Sequence, residues 1–335
     1  MPSLTSSRPE GLFLPDAALD AHVGLRLAEV EHLLRQSVVS EYPFVTNAAS
    51  HLVDAGGKRF RPLLTLLAAQ FGDPAATGVV PSAVVVELTH LATLYHDDVM
   101  DEAPLRRGAA SANARWDNTV AILTGDFLFA RASDLLADLG PEAVRIQART
   151  FERLCTGQIR ETVGPGEAED PIAHHVSVLA DKTGSLIATA GRFGAMMSGA
   201  DDAAVETMAA FGERIGVAFQ LADDLVDIGS ERAQSGKTPG TDLREGVATL
   251  AVLYARTSTD PDDARLIQLT SGPIHDDAEH SEALGLLRAH PAMGRARDEA
   301  HRWAAEARST LAPLPGGPAR DALELLCDYV VERTG

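Results

Sequence analysis

Apolar residues recur at three- and four-residue spacing along most of the chain, as in Val23, Leu27, Val30 and Leu34. This spacing places them on one face of a helix. Alternating strand patterns are few, so we predict a single all-α bundle of about ten helices. The first predicted helix begins at Ala17. The others cover residues 62–71, 80–101, 118–139, 141–163, 171–198, 201–228, 242–257, 292–312 and 317–333.

Four stretches break this pattern. Residues 1–16 are rich in Pro and Ser and are predicted to form a flexible N-terminal arm before a single domain over residues 17–335. Gly56–Pro62 separates two helices, and residues 102–117 form a polar connection. Residues 258–282 are predicted to be a surface excursion. It contains His275, Asp276, Asp277 and His280. We interpret these side chains as part of a solvated loop and not as a metal site.

The composition limits the partners. The chain has 335 residues, 45% of them hydrophobic, which is enough for a full core. Its net charge of −19 repels nucleic acid and anionic membranes, so a polyanionic substrate would need a local basic patch or a metal ion. Cys155 and Cys327 are predicted to be free thiols. Neither a secretory signal nor an apolar run of about 18 residues is visible, so we expect a cytoplasmic protein without a membrane anchor.

Two acidic stretches of the same pattern, Asp97–Asp101 and Asp223–Asp227, each end an apolar helical segment. In each stretch the first and last aspartates are spaced so that they share a helix face. Clustered carboxylates are costly there unless they face water, cations or metal, and Mg²⁺ prefers such oxygen ligands. A single stretch of this kind is usually a solvated helix end. Its repetition after a second apolar run favours two helices that aim carboxylates into one cleft holding Mg²⁺ and a polyanion.

Basic and polar groups accompany the acidic stretches. Arg side chains suit phosphate oxygens, and Lys supplies a point charge. His90 lies two helical turns before the first stretch and Gln220 lies one turn before the second, so both share the acidic faces. The basic groups close to the acidic stretches are Lys58, Arg59, Arg61, Arg106, Arg107, Lys182 and Lys237.

With these motifs in order, the chain resembles the trans-polyprenyl diphosphate synthases. The resemblance implies an isoprenoid synthase fold, a bundle of about ten or more helices around a central cleft. The matching segments are Gly56–Pro62, His90 with Asp97–Asp101, Arg106–Gly108, Gly125-Asp126, Gly157-Gln158, Lys182–Gly184, Phe219–Asp227, Gly236-Lys237, Gly240, Asp242-Leu243 and Gly246.

The resemblance also implies roles for single residues. Asp97, Asp101 and Asp223 would bind Mg²⁺, three ions with the allylic diphosphate present, and Asp98, Asp224 and Asp227 would support them. The allylic diphosphate would be contacted by Arg106, Lys182, Thr183, Gln220 and Lys237. Isopentenyl diphosphate would be held by Lys58, Arg61, His90 and Arg107. The catalytic set implied in this way is Asp97, Asp101, Lys182, Gln220, Asp223 and Lys237.

Product length is expected to depend on the helix that precedes Asp97. Ala92 and Thr93 lie about one turn before it, roughly 6–8 Å deeper at 1.5 Å per residue. Family members that make short products tend to carry a bulky aromatic residue there. Both residues are small in this chain, so we expect a medium- or long-chain product of about six or more isoprene units. The alternatives are that another helix supplies the floor of the pocket, or that the enzyme makes a short-chain farnesyl or geranylgeranyl product.

Two further alternatives are a class I terpene cyclase and a regulatory subunit of another prenyl synthase. Cyclases usually replace the second acidic motif and lack the basic Gly56–Pro62 segment, and regulatory subunits lose the aspartates.

The chain departs from the family at Val247, where a Lys is common, which could weaken closure over the diphosphate. The resemblance also implies a homodimer whose product is delivered to a membrane.

Overall fold

The computed structural model describes residues 12–229 and 239–332. Within them the only sheet is a hairpin of β1 (Leu105–Arg106) and β2 (Ala109–Ala110). The helices that begin before residue 150 are α1 (Ala17–Ser37), α2 (Pro43–Asp54), α3 (Phe60–Ala68), α4 (Val79–Met100), α5 (Ala112–Arg115), α6 (Asn118–Leu139) and α7 (Pro141–Val163). Those that follow are α8 (Pro171–Leu179), α9 (Ser185–Met197), α10 (Asp202–Gly229), α11 (Thr241–Glu245), α12 (Leu250–Arg256), α13 (Ala264–Leu269), α14 (Asp277–Ala289), α15 (Ala292–Thr310) and α16 (Pro318–Glu332). The predicted all-α class is confirmed.

Local chemistry explains where several helices begin. The Asp16 carboxylate accepts a hydrogen bond from the Leu19 amide at 2.8 Å and caps α1. The Asp117 carboxylate accepts one from the Val120 amide at 2.8 Å and caps α6. Such caps satisfy backbone donors that have no partner in the first turn of a helix. α2 and α8 begin with proline, which has no amide hydrogen to leave unpaired.

The chain folds into two compact units. Unit 1 contains the described residues of Met1–Glu152, Leu186–Gly212 and Thr310–Leu325, and unit 2 those of Arg153–Ser185, Glu213–Ser309 and Leu326–Gly335. The first acidic stretch belongs to unit 1 and the second to unit 2. The single domain and the shared cleft stay predictions.

Unit 1 is built around α4. Its middle portion is buried on nearly all sides, with Val84, Val86 and Leu88 at 0% exposure, as expected for a helix in the centre of a core. α3 and α9 approach so closely that a Cβ on Gly194 would lie 2.1 Å from the Thr65 carbonyl oxygen. Only glycine permits this contact, which brings two further helices to the core around α4.

The core of unit 2 joins the second half of α10 to the helices that follow it. Apolar residues of α10, α12, α13, α14 and α15 pack in one cluster, which fixes the helix that carries the second acidic stretch. Its most buried members are Val217, Leu221, Ile228, Leu250, Ala251, Val252, Ala255, Leu266, Ala283, Leu287, Ala292, Ala296 and Ala300.

Four predicted stretches were wrong in detail. Residues 258–282 are not a plain excursion, because they contain α13 and the start of α14. The helix predicted over 171–198 is interrupted by a π-helical turn at Ala180–Gly184. The helix predicted over 242–257 is split around Gly246, whose φ of 79° is left-handed. The polar connection 102–117 contains the β1–β2 hairpin and α5.

The predicted arm over residues 1–16 is described only from Leu12 onward. There Leu12 and Leu14 are buried, so this end of the arm packs against the protein. Cys155 is exposed and Cys327 is buried, and both are free, as predicted. None of the helices in the described ranges has the length and apolar content needed to cross a membrane.

Candidate functional site

The first acidic stretch forms the last turn of α4. Asp97 is half-buried, Asp98 is fully buried, and Asp101 caps the helix and is exposed. A helix C-terminus carries a partial negative charge, so carboxylates are unfavourable there. A cation placed beside Asp97 and Asp101 would remove this repulsion.

Arg106 already neutralises part of this charge. Its Nε donates to the Asp98 Oδ1 at 2.5 Å, and its Nη2 lies 3.9 Å from the Asp101 Oδ2. Burial raises the pKa of Asp98, while the Arg106 charge opposes that rise. The other carboxylate oxygen of Asp98 is buried without a hydrogen-bond partner. Arg106 is therefore tied to the carboxylates, and its predicted contact with a diphosphate stays a prediction.

The β1–β2 hairpin places Arg107 against α2. Arg107 adopts a left-handed φ of 53° in the turn. Its guanidinium donates to the Leu52 carbonyl oxygen at 3.0 Å and to the Gly56 carbonyl oxygen. These bonds hold its charge beside the Gly56–Pro62 segment, where two glycines of positive φ make the turn between α2 and α3.

Three of the four residues predicted to hold isopentenyl diphosphate converge in unit 1. Burial lowers the pKa of His90 well below its ordinary value, and the charges of Arg61 and Arg107 lower it further. Burial also lowers the pKa of Arg61 to about 10, and its Nε has no hydrogen-bond partner. Lys58 is exposed at the edge of this segment. Buried cationic groups with an unused donor are suited to an anion.

Arg59, inside the same segment, has a different role. It is buried, with its guanidinium bonded to Glu31, to the Glu87 Oε1 at 2.8 Å and to the Val53 carbonyl oxygen at 3.2 Å. It therefore links α1, α2 and α4, and it cannot contact a substrate without leaving the buried Glu87 carboxylate unpaired. The sequence signal for this role is a glutamate within each of two apolar helix patterns, Glu31 and Glu87.

The lowered pKa of His90 predicts an effect of pH on stability. A histidine whose pKa falls on folding binds a proton more readily in the unfolded chain, so its stabilising effect is complete above about pH 6.5. That effect is lost as pH falls toward the lowered pKa of the folded protein. We expect the Tm to fall more between about pH 7.5 and 5.5 in the wild type than in His90→Gln. Equal decreases in the two proteins would contradict a buried neutral His90.

The second acidic stretch lies near the end of α10. Asp223 is exposed, and Asp224 and Asp227 are half-buried. The Gln220 Nε2 donates to the Asp224 Oδ1 at 3.0 Å, and the Thr183 hydroxyl donates to the Gln220 Oε1 at 3.1 Å. The structure thus joins the predicted residues Thr183 and Gln220 in one hydrogen-bonded chain that ends on an aspartate.

Negative charge accumulates around this stretch. Burial raises the pKa of Asp224 to about 7, the Gln220 hydrogen bond opposes the rise, and the charges of Asp223 and Asp227 add to it. Burial also raises the pKa of Asp242 to about 8, with further contributions from Asp224 and Asp227. The Asp242 amide lies 3.3 Å from the Asp227 Oδ2. Asp242 belongs to a segment that matches the family, and only the fold shows that it lies beside the second acidic stretch.

Lys182 extends from the π-helical turn toward another carboxylate. Its Nζ lies 2.6 Å from the Glu161 Oε2 on α7. Glu161 also adds to the negative field at Asp224 and Asp242, and no sequence pattern predicts this role. Lys237 lies outside the described residues.

The donor set fits Mg²⁺. Aspartate oxygens are the hard ligands that this ion prefers, and it usually keeps water and phosphate oxygens as its other ligands. In the described ranges, no group of three or more His, Cys, Asp or Glu side chains is placed to hold a metal by itself. The arrangement suits an ion that shares one or two carboxylates with a diphosphate.

A cavity of about 400 Å³ lies in unit 1 between α4, α6 and α7. Its polar end is His96, the residue before Asp97, with Asp126 at 3.5 Å from its ring. The rest of its lining is largely apolar, with Ser133 and Gln147 as polar members, and the apolar residues are Phe129, Ala132, Leu136, Val144, Ala148 and Phe151. An apolar cavity that opens beside a polar, acidic helix end can hold a molecule with a charged head and an apolar tail.

The two predicted chain-length residues lie one turn before His96. Ala92 is fully buried, and its carbonyl oxygen would lie 3.1 Å from a Cβ on Gly125 of α6. Thr93 is half-buried, and its hydroxyl donates to the His90 carbonyl oxygen at 2.8 Å. One turn deeper, the Gln147 amide donates to the Thr89 hydroxyl at 2.7 Å and joins α7 to α4. Neither Ala92 nor Thr93 lines the cavity directly, so their role stays a prediction.

Known proteins resemble this chain over nearly its whole length. A family model described as "Polyprenyl synthetase" matches residues 42–287. A nonaprenyl diphosphate synthase of Mycobacterium tuberculosis is 54% identical over 326 residues, which cover 97% of this chain and 97% of the relative.

Two solved structures are similar in fold and in sequence. A geranylgeranyl pyrophosphate synthase from Corynebacterium glutamicum, complexed with calcium and isoprenyl diphosphate, has a TM-score of 0.86 and 46% identity. That match covers 97% of this chain and 100% of the other chain. A decaprenyl diphosphate synthase from Rhodobacter capsulatus has a TM-score of 0.86 and 34% identity, covering 95% of this chain and 99% of the other.

Proposed function

Because the chain belongs to the polyprenyl synthetase family, a family of prenyl-transferring enzymes, we propose that it condenses isopentenyl diphosphate with an allylic diphosphate. The observation that supports this most directly is the presence, inside unit 1, of the Asp97–Asp101 carboxylates and of a separate cluster in which the cations Arg61 and Arg107 lie near the neutral His90. One site suits a metal-borne diphosphate and the other a diphosphate held by side chains.

Each diphosphate has its own proposed residues. Asp97, Asp101 and Asp223 are the proposed Mg²⁺ ligands, supported by the charge that each acidic stretch places at a helix end. When bound, Mg²⁺ supplies positive charge that stabilises the departing diphosphate. Arg61 and His90 are proposed to hold isopentenyl diphosphate, with Lys58 and Arg107 beside them. Thr183 and Gln220 are proposed to orient the allylic diphosphate through their mutual hydrogen bond, with Arg106, Lys182 and Lys237 as further contacts.

The proposed reaction balances without a side-chain base. The carbon–oxygen bond of the allylic diphosphate breaks, and the double bond of isopentenyl diphosphate forms a new carbon–carbon bond to the allylic carbon. A proton then leaves the new chain, and the released diphosphate accepts it. The largely apolar cavity beside His96 would exclude water from the growing tail, which protects the allylic cation.

The proposed product is an all-trans polyprenyl diphosphate of about six or more isoprene units. The similarity to a nonaprenyl and a decaprenyl synthase supports a longer product, and the small residues at Ala92 and Thr93 agree with it. The similarity to a geranylgeranyl synthase keeps a short product as the second candidate.

A homodimer is also proposed. In unit 1, the adjacent apolar residues Ile122 and Leu123 of α6 are 43% and 60% exposed. Adjacent exposed apolar side chains can contribute to a protein interface. Mixing differently tagged copies and measuring their exchange would test the proposal.

One assay tests the function. The purified protein is incubated with Mg²⁺, labelled isopentenyl diphosphate and farnesyl diphosphate, and the hydrolysed products are separated by chromatography. Linear alcohols longer than geranylgeraniol support the proposal. Products that stop at geranylgeraniol support the short-chain candidate, and a cyclic hydrocarbon would indicate a cyclase. A protein that incorporates no isopentenyl diphosphate is not an elongating enzyme.

Bulk at the chain-length positions should shorten the product. We expect Thr93→Phe, at a half-buried position, to shift the product distribution to shorter alcohols in the same assay. Ala92→Phe should do the same but also destabilise the fold by about 1–3 kcal/mol, because Ala92 is packed tightly against α6. Ala203→Phe, at an exposed position of α10, is the control. An unchanged distribution in folded Thr93→Phe would place the floor of the pocket elsewhere.

A further inference from the structure

The π-helical turn at Ala180–Gly184 interrupts what the sequence predicts as one long helix. Such turns are rare, and they redirect the side chains that follow them, often at functional sites. This one carries Lys182 and Thr183, the two residues of the segment that the proposed function assigns to the allylic diphosphate. The geometry of the turn therefore decides where these two side chains point.

Arg153 of α7 is hydrogen-bonded to this turn. Its Nε donates to the Asp181 Oδ1 at 2.9 Å, and its Nη2 donates to the Ala180 carbonyl oxygen at 3.4 Å. The same Nη2 donates to the Glu213 Oε1 on α10 at 2.7 Å. A planar guanidinium can reach several acceptors at once in a fixed geometry, which a lysine cannot do. Arg153 thus bonds both the side chain and the backbone of the turn.

The backbone of α7 also lies directly against the turn. Gly157 is one helical turn beyond Arg153, and a Cβ on Gly157 would lie 2.9 Å from the backbone nitrogen of Lys182. On the other side, a Cβ on Gly184 would lie 3.1 Å from the Glu213 carbonyl oxygen. The turn is therefore held between α7 and α10, and Arg153 bridges the same two helices.

The turn passes this constraint on to the proposed site. The Thr183 hydroxyl is bonded to Gln220, and Gln220 is bonded to Asp224. Arg153 makes none of these contacts, because its hydrogen bonds go to Ala180, Asp181 and Glu213. A change at Arg153 therefore acts on the proposed site through its bonding partners, which are the turn and Glu213 of α10.

We propose that Arg153 is a positioning residue, which fixes the turn that presents Lys182 and Thr183 to the allylic diphosphate. The inference rests on the proposed function and adds a determinant of one substrate's affinity. It predicts an asymmetric effect, because the Arg61, His90 and Arg107 cluster belongs to unit 1 and is built without Arg153.

The test compares Arg153→Met, Arg153→Lys and the wild type in steady-state assays that vary each substrate separately. For Arg153→Met we expect the KM for the allylic diphosphate to rise about tenfold, with the KM for isopentenyl diphosphate within about twofold of the wild type. Arg153→Lys should recover part of the loss, since it keeps the charge but not the fork. Arg265→Met is the matched control, because Arg265 is similarly exposed and pairs with Glu282 in the same unit.

A double-mutant cycle with Thr183→Ala separates positioning from general destabilisation. If Arg153 acts through the turn, its effect on the allylic KM should be much smaller when Thr183 is already absent. Additive effects, or equal changes in both KM values, would overturn the inference. An inactive wild-type protein would instead refute the proposed function, so the two failures are distinguishable.

Discussion

Asp97→Asn is expected to lower kcat/KM for isopentenyl incorporation by about 100- to 1,000-fold, the size typical for losing one preorganised electrostatic group. Asparagine keeps the volume of aspartate but has no charge to attract Mg²⁺. Asp97 is half-buried in the last turn of α4, beside Asp98, which Arg106 already neutralises. The loss should therefore fall on the metal and not on the packing of the helix. A higher Mg²⁺ concentration should restore part of the activity.

The control for this variant is Asp298→Asn, which removes one charge from an exposed position on α15. Both variants change the net charge equally, so a general electrostatic effect would appear in both. The thermal unfolding of Asp97→Asn should match or exceed that of the wild type, because one repulsive carboxylate has been removed. Activity of Asp97→Asn within twofold of the control would show that Asp97 is not a metal ligand.

Arg59→Met is expected to reduce the free energy of unfolding by about 3–5 kcal/mol, the range seen when one partner of a buried ion pair is removed. The guanidinium lies between Glu31 and Glu87, and its side chain is only 2% exposed. Without it, Glu87 remains buried without its ion-pair partner, and Glu31 keeps only Arg35, whose Nη2 lies 3.2 Å from the Glu31 Oε2. Urea unfolding followed by circular dichroism would measure the change.

Two further variants make this prediction specific. Arg192→Met removes an arginine that makes two bonds to Glu206, at 2.6 and 2.7 Å, but Glu206 is 66% exposed. We expect a loss of about 1 kcal/mol or less there. Replacing Arg59, Glu31 and Glu87 together by apolar residues should recover most of the stability, because no charge is then left buried. A loss below about 1 kcal/mol in Arg59→Met alone would contradict the buried triad.

The Gly56–Pro62 segment contains three basic residues whose different surroundings in the fold the sequence does not predict. Lys58, Arg59 and Arg61 are all basic residues of this segment, and from the sequence each of them could bind an anion. In the fold, Lys58 is exposed, Arg61 is half-buried near His90, and Arg59 is buried and bonded to Glu31 and Glu87. The left-handed φ of 44° at Arg59 sets this division, and no local pattern predicted it.

The stretch 171–198 gives the same lesson for a helix. Its periodicity predicted a continuous helix, and most of it is helical. The π-helical turn at Ala180–Gly184 depends on Gly157 and Arg153 of α7, which are distant in sequence. Likewise, residues 258–282 were predicted to be a polar excursion, but Leu266, Leu269 and Ile274 are buried in the core of unit 2.

The sequence by itself determined the all-α class, most helix positions and the two acidic stretches, because helical periodicity and the Asp-Asp-x-x-Asp spacing are local properties of the chain. Only the tertiary structure decided which charges serve which purpose. It buried Arg59 in a triad, bonded Arg106 to Asp98 and placed Asp242 beside Asp227. It also bonded Arg153 to the turn that carries Lys182. These outcomes depend on contacts between residues far apart in sequence, and the energy of a charge is decided by its surroundings in the fold.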